Sequence, residues 1–148
     1  MKLFLDTIIF VEFVGRREQF EPVSRILDAI LEDEHIAFIS SGSIYTLTYL
    51  FERSLKEQDV HRPEQTHRLR ALLSEVLNMA TVLPLSHIET EKAVHDEAFI
   101  DIEDSYQYHC ALENHCSVLI TVNSKDFKDA DQTHIEIMTP TEFVEKYM

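Results

Sequence analysis

Four acidic residues and one asparagine occupy the positions in this sequence where chemistry is easiest to build. Asp6 ends a short apolar run, Leu3-Phe4-Leu5. Asn123 and Asp126 follow a second run, Val118-Leu119-Ile120-Thr121, and Asp104 opens a helical stretch with Asp101 three residues before it. Helical spacing puts Asp101, Asp104 and Tyr108 near one face. If the fold brings Asp6, Asp104 and Asp126 together, they suit a hard divalent cation such as Mg²⁺, which takes oxygen ligands and keeps several waters. Such an ion activates a water and offsets charge on a phosphodiester in the transition state. Each residue also has a local structural use. Asp6 suits the N-cap of a helix starting at Thr7, and Asp101 and Asp104 suit the positive end of a helix dipole. Asn123 or Ser124 suits the cap of a turn containing Asp126. Capping and cation binding do not exclude one another.

The elements that must position these residues alternate in type. Leu3–Leu5, Ile36–Ile39, Thr81–Pro84, Val118–Thr121 and Ile135–Met138 read as short strands. Helical spacing links Phe20, Val23, Ile26, Leu27, Ile30 and Leu31. It also links Ile44, Leu47, Leu50, Phe51 and Leu55, and again Leu69, Leu72, Leu73, Val76 and Leu77. Further helices are expected through Ile88 and Val94 and from about Asp101 to His115. The end of the chain reads Thr139 as N-cap, Pro140 as first helical residue and Glu142 as the third, a capping box for a last helix. Tyr45, Tyr49 and Phe51 read as core, a helix–helix dimer face being the other use of such a stripe. Strands alternating with helices imply an α/β domain with a mainly parallel sheet of about five strands, covered on both faces. Sites in such sheets lie beyond the carboxyl ends of the strands, where Asp6, Asn123 and Asp126 all fall.

At 148 residues, with 45% hydrophobic residues, two glycines and no linker or repeat, the expectation is one domain, 1–148, with a sizeable core. No apolar run reaches the roughly 18 residues of a membrane span. The N-terminus meets Asp6 too early for a signal peptide, so a cytoplasmic location is expected. Cys110 and Cys116 have no second pair to make a zinc ribbon and no CxxC spacing, and both are expected to pack as reduced thiols. The formal charge of −14 is unusual for a nucleic-acid binder, whose affinity comes from Lys and Arg on phosphates. An acidic domain that handles RNA must concentrate its cations locally, offset its carboxylates with metal, or borrow charge from a partner. Residues 89–104 carry seven acids against Lys92, and residues 53–70 hold Arg53, Lys56, Arg62, Arg68 and Arg70. The plainest use of both runs is a solvated face.

Taken together, the segments resemble the PIN-domain ribonucleases, including the VapC-type toxins of toxin–antitoxin pairs, over nearly the whole chain. Phe4-Leu5-Asp6-Thr7 is similar to the family's LDT opening. Asp101-Ile102-Glu103-Asp104-Ser105 resembles its DxxDA helix start, with Cys110-Ala111 following. Leu119-Ile120-Thr121-Val122-Asn123-Ser124-Lys125-Asp126-Phe127 resembles its ITxNxxDF segment. The resemblance implies a PIN-like three-layer fold and a metal-dependent endoribonuclease that hydrolyses RNA phosphodiester bonds. In that family Asp6, Asp104 and Asp126 would be the catalytic carboxylates holding Mg²⁺ or Mn²⁺. Asn123 would orient the site and Thr7 assist through its hydroxyl, with Asp101 in support. Arg16 and Arg17, read as a loop near the Asp6 edge, and Lys125 would contact RNA phosphates. A small antitoxin and a homodimer are the partners the resemblance implies.

One position departs from the pattern. The helix after the second strand usually carries a Glu, and Thr46 stands in its place. Glu52 lies about two turns further on, a poor substitute by geometry. A catalytically weakened PIN-like module that binds protein or RNA is therefore the competing reading. Other classes fit less well. A dehalogenase-type phosphatase needs an acid at position 8, which is Ile8, and a receiver domain needs an acidic pair after strand one. GxGxxG, GxxxxGK[ST] and HExxH are absent.

Overall fold

A computed structural model describes residues 1–148. Five strands, β1 (Lys2–Leu5), β2 (Ile36–Ser40), β3 (Thr81–Leu83), β4 (Val118–Ile120) and β5 (Glu136–Met138), form one sheet in the order β3-β2-β1-β4-β5, every pairing parallel. All five strands therefore end at the same edge. The sheet order reverses direction at β1, so β1 and β4 lie side by side and bring Asp6 next to the residues that follow Ile120.

Side-chain alternation along the strands divides the core into two layers. Leu3, Leu5, Ile39, Val118 and Ile120 face one side, with α1 (Thr7–Val14), α2 (Phe20–Leu31), α3 (Ser41–Glu57), α4 (Glu64–Met79) and α7 (Pro140–Tyr147). Phe4 and Leu119 face the other, against α6 (Ile102–Glu113) and the side chains of Phe99 and Phe127; α5 (His87–Val94) packs on α6. The result is the three-layer α/β arrangement expected from the sequence. The Thr139 capping box forms: its hydroxyl accepts from the Glu142 N–H while the Glu142 carboxylate accepts from the Thr139 N–H.

Three details refine or correct the expectation. Helix α1 starts at Thr7 with Asp6 as its N-cap, as that residue's local use suggested, but its sequence, Thr-Ile-Ile-Phe-Val-Glu-Phe-Val, is apolar almost all round and carries no amphipathic signature to show its length. Phe51 is core, but Tyr45 and Tyr49 are 79% and 63% exposed, because α3 buries only its Leu47–Phe51–Leu55 side. The basic residues of 53–70 are largely paired on the helix surface, Arg53 with Glu57, Lys56 and Arg62 with Glu52, and Arg68 with Glu64. Cys110 and Cys116 are buried free thiols, pushed by burial up to about 12 and about 11. No helix is long and apolar enough to cross a membrane.

Leu119 is fully buried in the smaller core layer, directly behind the strand end that carries the site. Leu119→Ala is expected to cost about 3 kcal/mol. Urea unfolding should show a lower midpoint at unchanged slope; a loss under about 1 kcal/mol would mean that this layer contributes little to stability.

Candidate active site at the carboxyl edge of the sheet

Asp6 leaves β1 with its N–H still in the ladder, donating to the Ile120 carbonyl at 3.0 Å, and then starts α1. Its carboxylate is 5% exposed. Oδ1 accepts from the Ile8 N–H at 3.3 Å, which makes Asp6 the N-cap of α1, and from Gln107 Nε2 at 3.1 Å; Oδ2 accepts from the Thr121 hydroxyl at 2.6 Å. Burial nonetheless raises its pKa, overcoming the lowering by those three bonds.

Around Asp6 runs a chain of hydrogen bonds that joins four segments distant in sequence. The Asn123 N–H donates to Thr121 Oγ1 at 3.1 Å, linking the β4 exit to Asp6. Gln107 Oε1 accepts from the Thr7 N–H at 2.9 Å, so one amide holds both the end of β1 and the start of α1. Thr7 Oγ1 lies 2.9 Å from Ser43 Oγ, which is 3.0 Å from Ser40 Oγ, the N-cap of α3. It is also 3.4 Å from Glu103 Oε1. Gln107, Thr121, Ser43 and Glu103 were not singled out in the sequence. The clue lay in spacing: Glu103 and Gln107 are four apart on α6 and share a face, and Thr121 is the polar residue closing an apolar strand.

Asp104 is half-buried in the first turn of α6. Burial, then the charges of Asp6, Asp101, Asp126 and Glu103, raise its carboxyl to about 7. The charges of the other four acids thus act on Asp104 in the same direction as its burial. Asp101 caps α6, accepting from the Glu103 N–H at 2.8 Å. Asp126 is exposed on a short 3-10 turn, Ser124–Phe127, whose preceding Asn123 makes no side-chain cap. Asp104 and Tyr108 lie four residues apart on α6, as expected for one face. Asp101 stands outside the helix, and the Tyr108 hydroxyl turns away to the Asp131 carbonyl at 2.6 Å.

Arg16 and Arg17 lie beyond the far end of α1, a helix length of about 12 Å from the Asp6 end. Arg16 sits over the Phe20 ring and Arg17 approaches Glu12 at 4.0 Å. Lys125 is better placed: with Lys128 it lines an open cleft shared with Asp101 and Asp126. A hollow of about 640 Å³ between α1 and α3, beside Val14, Arg17 and Phe51, is lined by none of Asp6, Asp101, Glu103, Asp104 and Asp126. Thr46 lies on α3 one turn beyond Ser43; burial raises the Glu103 carboxyl, and the Thr46 and Thr7 hydroxyls lower it.

No ion pair in the molecule includes Asp6, Asp101, Glu103, Asp104 or Asp126. As the side chains stand, no three acids, histidines or cysteines are close enough together to enclose a metal ion. The donor set still fits Mg²⁺ or Mn²⁺. All the groups are oxygens, and Mg²⁺ binds through one or two carboxylates with water filling the rest of its shell.

A carboxyl raised in the fold stabilises the protein below its unfolded value near 4, and that stability is lost as pH rises through about 7. Discounted for the solvent that reaches Asp104, the effect is about 1–2 kcal/mol. In chelator, Asp104→Asn should therefore be more stable than wild type at pH 8 and lose that advantage toward pH 4. Thermal melts in which the variant gains nothing at pH 8 would contradict the strained carboxyl.

The comparisons with known proteins agree with this architecture. The PIN domain family model matches residues 2–125. Ribonuclease VapC1 of Aquifex aeolicus is 27% identical over 151 residues, spanning 99% of this chain and 95% of that protein. Among solved structures, VapBC2 from Rickettsia felis bound to a promoter DNA fragment aligns with a TM-score of 0.69 at 16% identity, over 94% of this chain and 98% of that one. DNA-bound VapBC from Salmonella typhimurium aligns at 0.68 and 18%, over 95% and 98%. FitAcB from Neisseria gonorrhoeae aligns at 0.65 and 21%, over 94% and 98%. With a family model covering most of its length and five parallel strands delivering its acids to one edge, this chain belongs to the PIN domain family.

Proposed function

We propose that this protein is a divalent-metal-dependent endoribonuclease acting as the toxin of a toxin–antitoxin pair, with residues 1–148 working as one unit. The observation that carries the reading is that Asp6 and Asp126 follow the adjacent parallel strands β1 and β4 of a PIN domain, with burial and then the charges of its neighbours raising the Asp104 carboxyl. The ribonuclease name of the Aquifex aeolicus relative supports the same reading. Asp6, Asp104 and Asp126 would hold Mg²⁺ or Mn²⁺, which when bound supplies an activated water and charge for the phosphodiester.

The chain's own residues then have distinct tasks. Gln107 and Thr121 fix both oxygens of Asp6, so that its carboxylate needs no reorganisation on binding. Thr7 and Asn123 tie the flanking segments to the same network. Lys125 and Lys128 put positive charge in the cleft beside Asp126, where an RNA backbone would run. Arg16 and Arg17 are placed for a more distant part of a long substrate.

An antitoxin partner is supported by the structural relatives, which are described as VapBC and FitAB complexes. A small basic or amphipathic segment suits a chain of charge −14. Assembly as a homodimer belongs to the same reading. Thr46 in place of the usual Glu favours the second reading, a PIN-like module that binds without cutting.

The test is cleavage of a mixed RNA pool with Mg²⁺ or Mn²⁺. Wild type should cut, chelator should stop it, and Asp6→Asn should lose at least about a hundredfold in rate, the scale of a lost electrostatic group. Wild-type RNA binding without cleavage would move the assignment to the binding module.

A further inference from the structure

The departure at Thr46 has a counterpart across the site. Glu103 is the second residue of α6, and a glutamate there would ordinarily extend into water at the positive end of the helix. In this protein it leans the other way, toward α1 and α3. Its Oε1 lies 3.4 Å from the Thr7 hydroxyl, which is itself 2.9 Å from Ser43 Oγ on α3, one turn before Thr46. It does so against electrostatic opposition, because Asp6 and Asp101 repel it and no Lys or Arg pairs with it. Glu52, the only other acid nearby on α3, is engaged by Lys56 at 3.6 Å and Arg62 at 3.1 Å.

We infer that Glu103 takes the place of the acid missing at position 46, adding a fourth carboxylate to Asp6, Asp104 and Asp126 for binding the divalent cation. The inference rests on the metal-dependent reading of the site. It follows from two neighbours on different helices having exchanged roles. Thr46 stands on α3 as a hydroxyl donor, and Glu103 brings from α6 the negative charge that α3 lacks. The formal charge of the site is thereby unchanged from that of a set with Glu at position 46. Gln107, one turn along the same face of α6, fixes Asp6 and Thr7, so α6 supplies both the carboxylate and the amide that orient the first strand's acid.

Mn²⁺ binding, followed by loss of the free-ion electron paramagnetic resonance signal, tests this without any cleavage assay. Wild type, Glu103→Gln, Thr46→Glu/Glu103→Gln and Asp6→Asn are compared, with circular dichroism confirming that each is folded. Glu103→Gln is expected to weaken Mn²⁺ by about tenfold or more, a loss that even an outer-sphere partner produces. The double variant should recover most of that affinity, because its carboxylate returns to α3. A Glu103→Gln protein that binds Mn²⁺ like wild type, while Asp6→Asn does not, would overturn the role of Glu103 and leave the metal site standing. Weakening without recovery in the double variant would also overturn the exchange of positions. Absence of Mn²⁺ binding by folded wild type would overturn the metal site and this inference together.

Discussion

A carboxylate buried without a cation is the constraint around which this molecule is built. Asp6 sits at the end of a central strand, 5% exposed, and its two oxygens are held by Gln107, Thr121 and the Ile8 N–H. Burying a charge is costly unless it is paired and hydrogen-bonded. Here the hydrogen bonds are supplied and the counter-charge is not. The parallel sheet aligns the strand ends, β4 places Thr121 beside Asp6, and α6 crosses close enough for Gln107 to reach it. Each of these contacts spans about a hundred residues of sequence, so the site exists only when the whole fold does.

The same argument bears on how a chain of charge −14 belongs to the PIN domain family. Its cations are mostly spent on local pairs: Arg53, Lys56, Arg62 and Arg68 neutralise acids on α3 and α4. The acids at the sheet edge are left without such partners and raise one another's pKa values. On the proposed reading a divalent ion would offset that repulsion, where a lysine would occupy the site itself. Lys125 and Lys128, beside Asp126, then provide local positive charge toward a polyanion in a molecule that otherwise repels one.

Much of this was legible in the sequence. An apolar strand ending in Asp, a second followed by Asn123 and Asp126, and alternating periodicities identify the sheet, its edge and the family. The Thr139–Glu142 capping box was readable to the residue. What escaped was whatever depends on rotation about a helix axis or on a helix with no polar face. Asp104 and Tyr108 share a side of α6, yet Glu103 and Gln107, about 100° round, are the pair that reaches the Asp6 network. The cap at Asp6 marked where α1 begins but not where it ends, and its length carries Arg16 and Arg17 away from Asp6. The departure at Thr46 was visible; its partner Glu103 was not, because nothing local tells which way a first-turn glutamate leans.

The most direct measurement of the central claim is anomalous scattering from crystals grown with Mn²⁺. A single strong peak is expected beside Asp6, within reach of Asp104, Asp126 and Glu103, with Gln107 and Thr121 still holding the Asp6 oxygens. A peak elsewhere, or none at Mn²⁺ concentrations that saturate binding in solution, would contradict the claim that this edge is built around a cation.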